Sequence, residues 1–162
     1  MELFLNNRSL GRKLISHNTY FNDWKVKYEP GELTAIGYIK GQKVATSKLI
    51  TTDAATKLQI TPLALPVVSN VLLFEITAND KAGLRVIDAK GGVTIKTGGP
   101  CRLIGIDNGE LDFPGPYKTD TRNIYEGRLL VAIERTTQAG EIRIVASAPG
   151  LSAATISIKY AK

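Results

Sequence analysis

EIRIVASAPGLSAATISIKY, residues 141–160, holds two runs of alternating polar and apolar side chains on either side of Pro149-Gly150. Glu141 to Ala146 and Thr155 to Tyr160 change face at every residue, which is the period of an extended chain, and Pro followed by Gly turns one run back on the other. The stretch reads as an antiparallel hairpin with one face buried. A helix would need apolar residues at i, i+3, i+4 and i+7, and no window of the chain repeats that pattern for three turns. The fold class is therefore all-β.

Further runs rich in Val, Ile and Thr predict strands at 57–60, 71–78, 93–96, 101–106 and 128–135. Short strands at even spacing, with Gly and Pro between them, are the pattern of an immunoglobulin-like β-sandwich. Nearer the N-terminus, strands are expected at 2–5, 8–11, 24–28, 33–39 and 43–50. The turns Glu29-Pro-Gly-Glu32 and Lys40-Gly-Gln42 make the last three a meander. Trp24, Val26 and Tyr28 alternate as its core would. The small polar stretch Thr51-Thr-Asp-Ala-Ala55 is the expected linker. Two immunoglobulin-like β-sandwich domains follow, a small one over 1–52 and a larger one over 56–162.

Residues 1–13, MELFLNNRSLGRK, begin in the middle of a hairpin, since Glu2 to Leu5 is a strand with nothing ahead of it to pair with. The small domain is accordingly expected to be truncated, its N-terminal strand missing and Glu2 to Leu5 either an exposed edge or paired with a neighbouring molecule.

The chain has 162 residues, 43% of them apolar, which suits a globular core. No apolar run approaches a membrane span, and no secretion leader is recognisable. The net charge of +6 is spread over strand faces instead of forming a patch, so neither nucleic acid nor a membrane is an expected partner. One cysteine excludes an internal disulfide. With a single histidine as well, neither a zinc site of ordinary composition nor a nucleophile–histidine pair is expected. His17 lies in a polar loop, and Cys101 reads as a small buried apolar residue at a strand start.

Function is sought in the segment NGELDFPGPYKTDTRNIYEG, residues 108–127, because long loops on a rigid scaffold carry binding residues. Asp107, Glu110 and Asp112 do not match the spacing of a calcium loop. Asp107-Asn-Gly109 reads as a tight turn whose Asp and Asn side chains bond their own backbone. The candidate carbohydrate contacts are Tyr117 and Tyr125, whose rings can stack on sugars, together with Asp107 and Asn108. Tyr125, two residues before Gly127, also reads as a corner tyrosine. No catalytic residue, metal or cofactor is expected.

Two groups of residues carry a family resemblance. Glu2-Leu-Phe-Leu-Asn-Asn-Arg-Ser-Leu-Gly-Arg12, Trp24-Lys-Val-Lys-Tyr-Glu-Pro-Gly-Glu-Leu33 and Lys40-Gly-Gln-Lys-Val-Ala45 form the first. Gly105-Ile-Asp-Asn-Gly109, Tyr125 with Gly127, and Gly140 to Lys159 with Ala148-Pro-Gly-Leu151 form the second. Together they resemble the C-terminal β-sandwich region of bacterial family 2 glycoside hydrolases of the β-galactosidase and β-glucuronidase type. Asn7 stands where that family has a turn glycine. The resemblance implies a non-catalytic accessory region, since the family's catalytic glutamates belong to a barrel absent from this sequence. It implies the barrel of the same parent chain as partner, a homo-oligomer of that parent, and a periplasmic or secreted location. The alternatives are a carbohydrate-binding module and an immunoglobulin-like spacer of an adhesin.

Overall fold

The computed structural model describes residues 1–15, 21–63, 70–112, 115–137 and 139–160, and is all-β, as the alternation requires. The chain divides into two compact units, Met1–Thr51 and Thr52–Lys162.

Unit 1 is built on β1 (Glu2–Leu5), β2 (Arg8–Arg12), β3 (Glu32–Ile39) and β4 (Gln42–Ile50), in the antiparallel order β2-β1-β3-β4. Asn6 and Asn7, with φ of 50° and 64°, supply the two left-handed residues that a tight hairpin turn demands. The expected exposed edge at Glu2 to Leu5 is corrected: β1 is an interior strand, paired with β2 on one side and β3 on the other. The sequence places β3 twenty-seven residues downstream of β1, and only the fold shows that it returns beside it. The strand expected at Trp24 to Tyr28 is also corrected, because those residues join no ladder. Their alternation lays side chains over a sheet face without supplying a strand to it. Trp24 is half-buried and Tyr28 is exposed, so the fully buried apolar side chain among the described residues of this unit is Leu5 instead.

The two signature segments of unit 1 meet at Asn6. Its amide Nδ2 donates to Pro30 O at 3.0 Å, and its Oδ1 accepts from Glu32 N at 2.9 Å. Gly31, at φ 135°, lies so close that a Cβ there would come within 1.8 Å of Asn6 Oδ1. The Pro-Gly turn thus fits onto the Asn6 side chain, and only glycine fits. On β3, Glu32 takes hydrogen bonds from Lys48 Nζ at 2.9 Å and Thr34 Oγ1 at 2.7 Å. The Lys48 and then the Thr34 bond hold its carboxyl below the usual carboxylate range. A depressed folded-state pKa contributes stability above the ordinary value that is lost as pH falls through the depressed one. The thermal midpoint of unit 1, followed by Trp24 fluorescence, should therefore decline more steeply below pH about 4 in the wild type than in Glu32→Gln. Identical acid profiles for the two proteins would show that the Glu32 contacts are energetically idle.

Unit 2 comprises β5 (Lys57–Pro62), β6 (Val71–Asn79), β7 (Gly92–Gly98), β8 (Cys101–Asp107), β9 (Thr121–Asn123), β10 (Arg128–Arg135), β11 (Gly140–Ala148) and β12 (Leu151–Tyr160). One layer runs β8-β10-β6-β5 and the other β12-β11-β7-β9, joined where Ser152 of β12 pairs with Lys57 of β5 in parallel. Apart from the short β9, this is the four-plus-three arrangement of an immunoglobulin-like domain. The quoted hairpin is β11–β12, with Glu141 opposite Lys159 and Gly150 at φ 75° in its turn. Alternate residues of each layer point inward. Phe74, Ile76 and Ala78 of β6, Leu129, Val131 and Ile133 of β10, and Ile142, Ile144 and Ala146 of β11 are all at most 1% exposed.

Candidate functional site

The segment between β8 and β10 is organised by a residue the sequence did not single out. Arg122, the middle residue of β9, is 3% exposed. Its Nη2 donates to Pro116 O at 2.6 Å, its Nη1 lies 3.9 Å from Asp107 Oδ1, and its guanidinium sits 5.0 Å from the centre of the Tyr117 ring. A buried cation is stable only when such partners surround it. Arg122 thereby fixes Pro116 and Tyr117 of the loop beside Asp107 at the end of β8. The backbone reinforces this, since Ile106 N and Thr119 N both donate to Tyr117 O, at 2.9 and 3.1 Å. Nothing local distinguishes Arg122 from any other arginine in a polar segment, so no sequence signal marks it.

Of the four candidate contacts, the structure brings Tyr117 and Asp107 together. Tyr117 is 57% exposed. With Gly105, Ile106, Asp107, Leu130 and Ala132 it lines a shallow apolar groove of about 150 Å³. Across Asp107 and Leu130 this continues into a more polar groove of about 220 Å³ that reaches Glu75 and Arg128. Asn108 is only 4% exposed, and its side chain serves the loop: Nδ2 donates to Asn123 O at 3.1 Å and Oδ1 accepts from Glu110 N at 3.1 Å. Asp107 Oδ1 accepts from Gly109 N at 3.1 Å, so the Asp-Asn-Gly segment is the side-chain-bonded turn expected of it. Tyr125 stands at the corner entering β10, where it exchanges backbone hydrogen bonds with Arg128, and it lines neither groove. Among the described residues no three His, Cys, Asp or Glu side chains converge as a metal site would require.

Cys101, half-buried at the start of β8, packs against the core and points its Sγ at Gly98 O, 3.5 Å away. Burial pushes its thiol up, away from the reactive thiolate. His17 lies outside the described residues.

A further groove belongs to unit 1. Leu5 pairs with Leu33, which pairs with Leu49, so the three share one sheet face. Val26, Tyr28 and Ile50 flank that face to enclose about 350 Å³. The lining is mainly apolar, yet Leu49 is 70% and Tyr28 75% exposed.

Comparison with known proteins gives this arrangement a context. The family model described as glycoside hydrolase family 2 C-terminal domain 5 matches residues 68–157, and one described as a domain of unknown function matches residues 1–45. A β-galactosidase of Bacteroides ovatus is 26% identical over 161 residues, covering 98% of this chain and 19% of that protein. A putative β-glucuronidase of Formosa agariphila is 29% identical over 156 residues, 91% of this chain and 15% of that one. The crystal structure of a glycosyl hydrolase family 2 member from Bacteroides cellulosilyticus superposes with a TM-score of 0.88 at 25% identity, covering 98% of this chain and 22% of that one. The chain thus spans about a fifth of the length of the proteins it matches.

Proposed function

This chain belongs to the family of glycoside hydrolase family 2 C-terminal domain 5, and from that membership we propose that it serves as the non-catalytic accessory region of a β-galactosidase- or β-glucuronidase-type enzyme. The family match carries the reading. The relatives it matches, a β-galactosidase and a putative β-glucuronidase, are several times longer than this chain, so the hydrolytic centre is assigned to the remainder of the parent. Glycoside hydrolysis needs two carboxylates flanking a bound sugar in a cleft, and the two grooves beside Tyr117 and Asp107, at about 150 and 220 Å³, fall below the usual size of such a site.

The accessory role is bracing. Of the fifteen large apolar side chains exposed among the described residues, nine lie in unit 1, although that unit is under a third of the chain. An exposed apolar groove rimmed by polar residues marks an interaction surface, and the catalytic part of the same parent polypeptide is the partner we assign to it.

Two measurements test this reading. The 162-residue chain alone should not turn over nitrophenyl β-galactoside or β-glucuronide, and turnover by material freed of contaminating enzyme would defeat it. In the full-length parent, Leu49→Asp should lower the melting temperature by several degrees, while the isolated chain, where Leu49 is 70% exposed, melts almost unchanged. A full-length enzyme indifferent to Leu49→Asp would remove the bracing role.

A further inference from the structure

The pairing of Tyr117 with Asp107 has a chemistry that the accessory role does not use. The Tyr117 ring lies against the Arg122 guanidinium, whose side chain is 1% exposed, so the cation occupies one side of the ring and the outer side is left to solvent. An exposed aromatic is ordinarily mobile, but here Arg122 fixes the ring and two backbone amides fix its carbonyl. Beside it, the Asp107 side chain is 47% exposed, with one oxygen held by Gly109 N and facing Arg122. A carboxylate anchored in this way keeps acceptor capacity for a ligand. Gly105 has no side chain to obstruct the groove, and a Cβ there would stand 3.4 Å from Tyr117 O. Leu130 and Ala132 complete an apolar surface.

We propose that this groove is a binding subsite for a single neutral pyranose ring of a glycan chain, the apolar face of the sugar stacked on Tyr117 and its hydroxyls donating to Asp107. The ring class follows from the parts: a flat aromatic surface suits the C–H face of a pyranose, and a carboxylate acceptor suits its hydroxyls. The size follows from the groove, which at about 150 Å³ is below the range of sites for larger ligands. Neutrality follows from charge, because Asp107 is the one charged side chain lining the 150 Å³ groove, Arg122 is buried beneath it, and Arg128 of the continuing groove has Glu75 in the same lining and Glu126 at 3.9 Å. A uronic acid would meet the Asp107 carboxylate with a like charge.

The test is a titration of the ¹⁵N-labelled full chain with methyl β-D-galactopyranoside, methyl β-D-glucopyranoside and methyl β-D-glucuronide, read by amide chemical shifts. The neutral glycosides should give saturable shifts at Gly105, Asp107, Tyr117 and Leu130, with a Kd on the order of 1–10 mM, the weak affinity open to one small ring. Tyr117→Ala should weaken binding roughly tenfold and Tyr117→Phe should preserve it, since the platform and not the hydroxyl is used. Both variants alter an exposed side chain, and their unchanged spectra away from the groove certify the fold. Three outcomes would each overturn the proposal: no saturable shift, shifts confined to other residues, or glucuronide binding as tight as that of the neutral sugars. None of them bears on whether the chain itself hydrolyses glycosides.

Discussion

Phe74→Ala should cost unit 2 about 3–5 kcal/mol, a large part of the stability of an ordinary domain. Phe74 is 1% exposed on β6, the strand flanked by β5 and β10, where it lies opposite both Pro62 and Val131. Truncation removes the transfer free energy of a phenyl ring and leaves a cavity that strands pinned on both sides cannot collapse to fill. Urea unfolding followed by far-ultraviolet circular dichroism should show the midpoint of unit 2 lowered by about 2 M. Phe74→Leu, which keeps most of the volume, should lose less than half as much. A shift below about 1 kcal/mol for the alanine variant would mean that the interior of the sandwich relaxes around the hole, contrary to the close packing general to buried cores.

The second large effect is expected from Asn6→Ala. The substitution deletes a donor to Pro30 O and an acceptor for Glu32 N, each worth about 1 kcal/mol net. It also forces alanine to hold φ near 50°, a left-handed conformation costing roughly 1–2 kcal/mol without the local bonding that asparagine brings. A total of about 3–4 kcal/mol would be survivable in unit 2. In unit 1, with Leu5 as its fully buried apolar residue among those described, it should leave the unit largely unfolded at 37 °C. Trp24 is the only tryptophan of the chain and lies in unit 1, so its emission reports this unit. Asn6→Asp retains the acceptor and loses the donor, so it should fall between the two. A Trp24 transition unmoved by Asn6→Ala would show that the joint between the two signature segments is incidental.

What the sequence revealed, and what it did not, divides along one physical line. Strands of unit 2 such as β10 and the β11–β12 hairpin were legible because a period of two with one buried face leaves a trace in every residue. The same period misled at Trp24 to Tyr28, since alternation records which side a residue faces and says nothing of whether a neighbouring strand is present. The position of β1 inside its sheet was hidden for the converse reason, as pairing with β3 is a long-range fact that no local pattern contains. β9, three residues long, is too short to show any period. Of the candidate site, Tyr117 was visible as an aromatic in a long loop and Asp107 as the start of an Asp-Asn-Gly turn at a strand end, but the buried Arg122 that joins them was not. Its importance comes from burial, and only packing determines that.

The way β5 enters unit 2 has a mechanical consequence. Tension carried along the chain past Thr52 meets the Asp53 and Thr56 backbone bonds to Asp80 and Asn79 and then β5, whose ladder with β6 runs through six residue pairs from Lys57–Asn79 to Pro62–Phe74. A pull along the axis of that strand loads all six pairs in shear at once, whereas peeling would break them one by one. The parallel partner Ser152 on β12 shares the load with the opposite layer. The strand that closes the sandwich, paired with β6 in one layer and β12 in the other, therefore also spreads an axial pull over both layers.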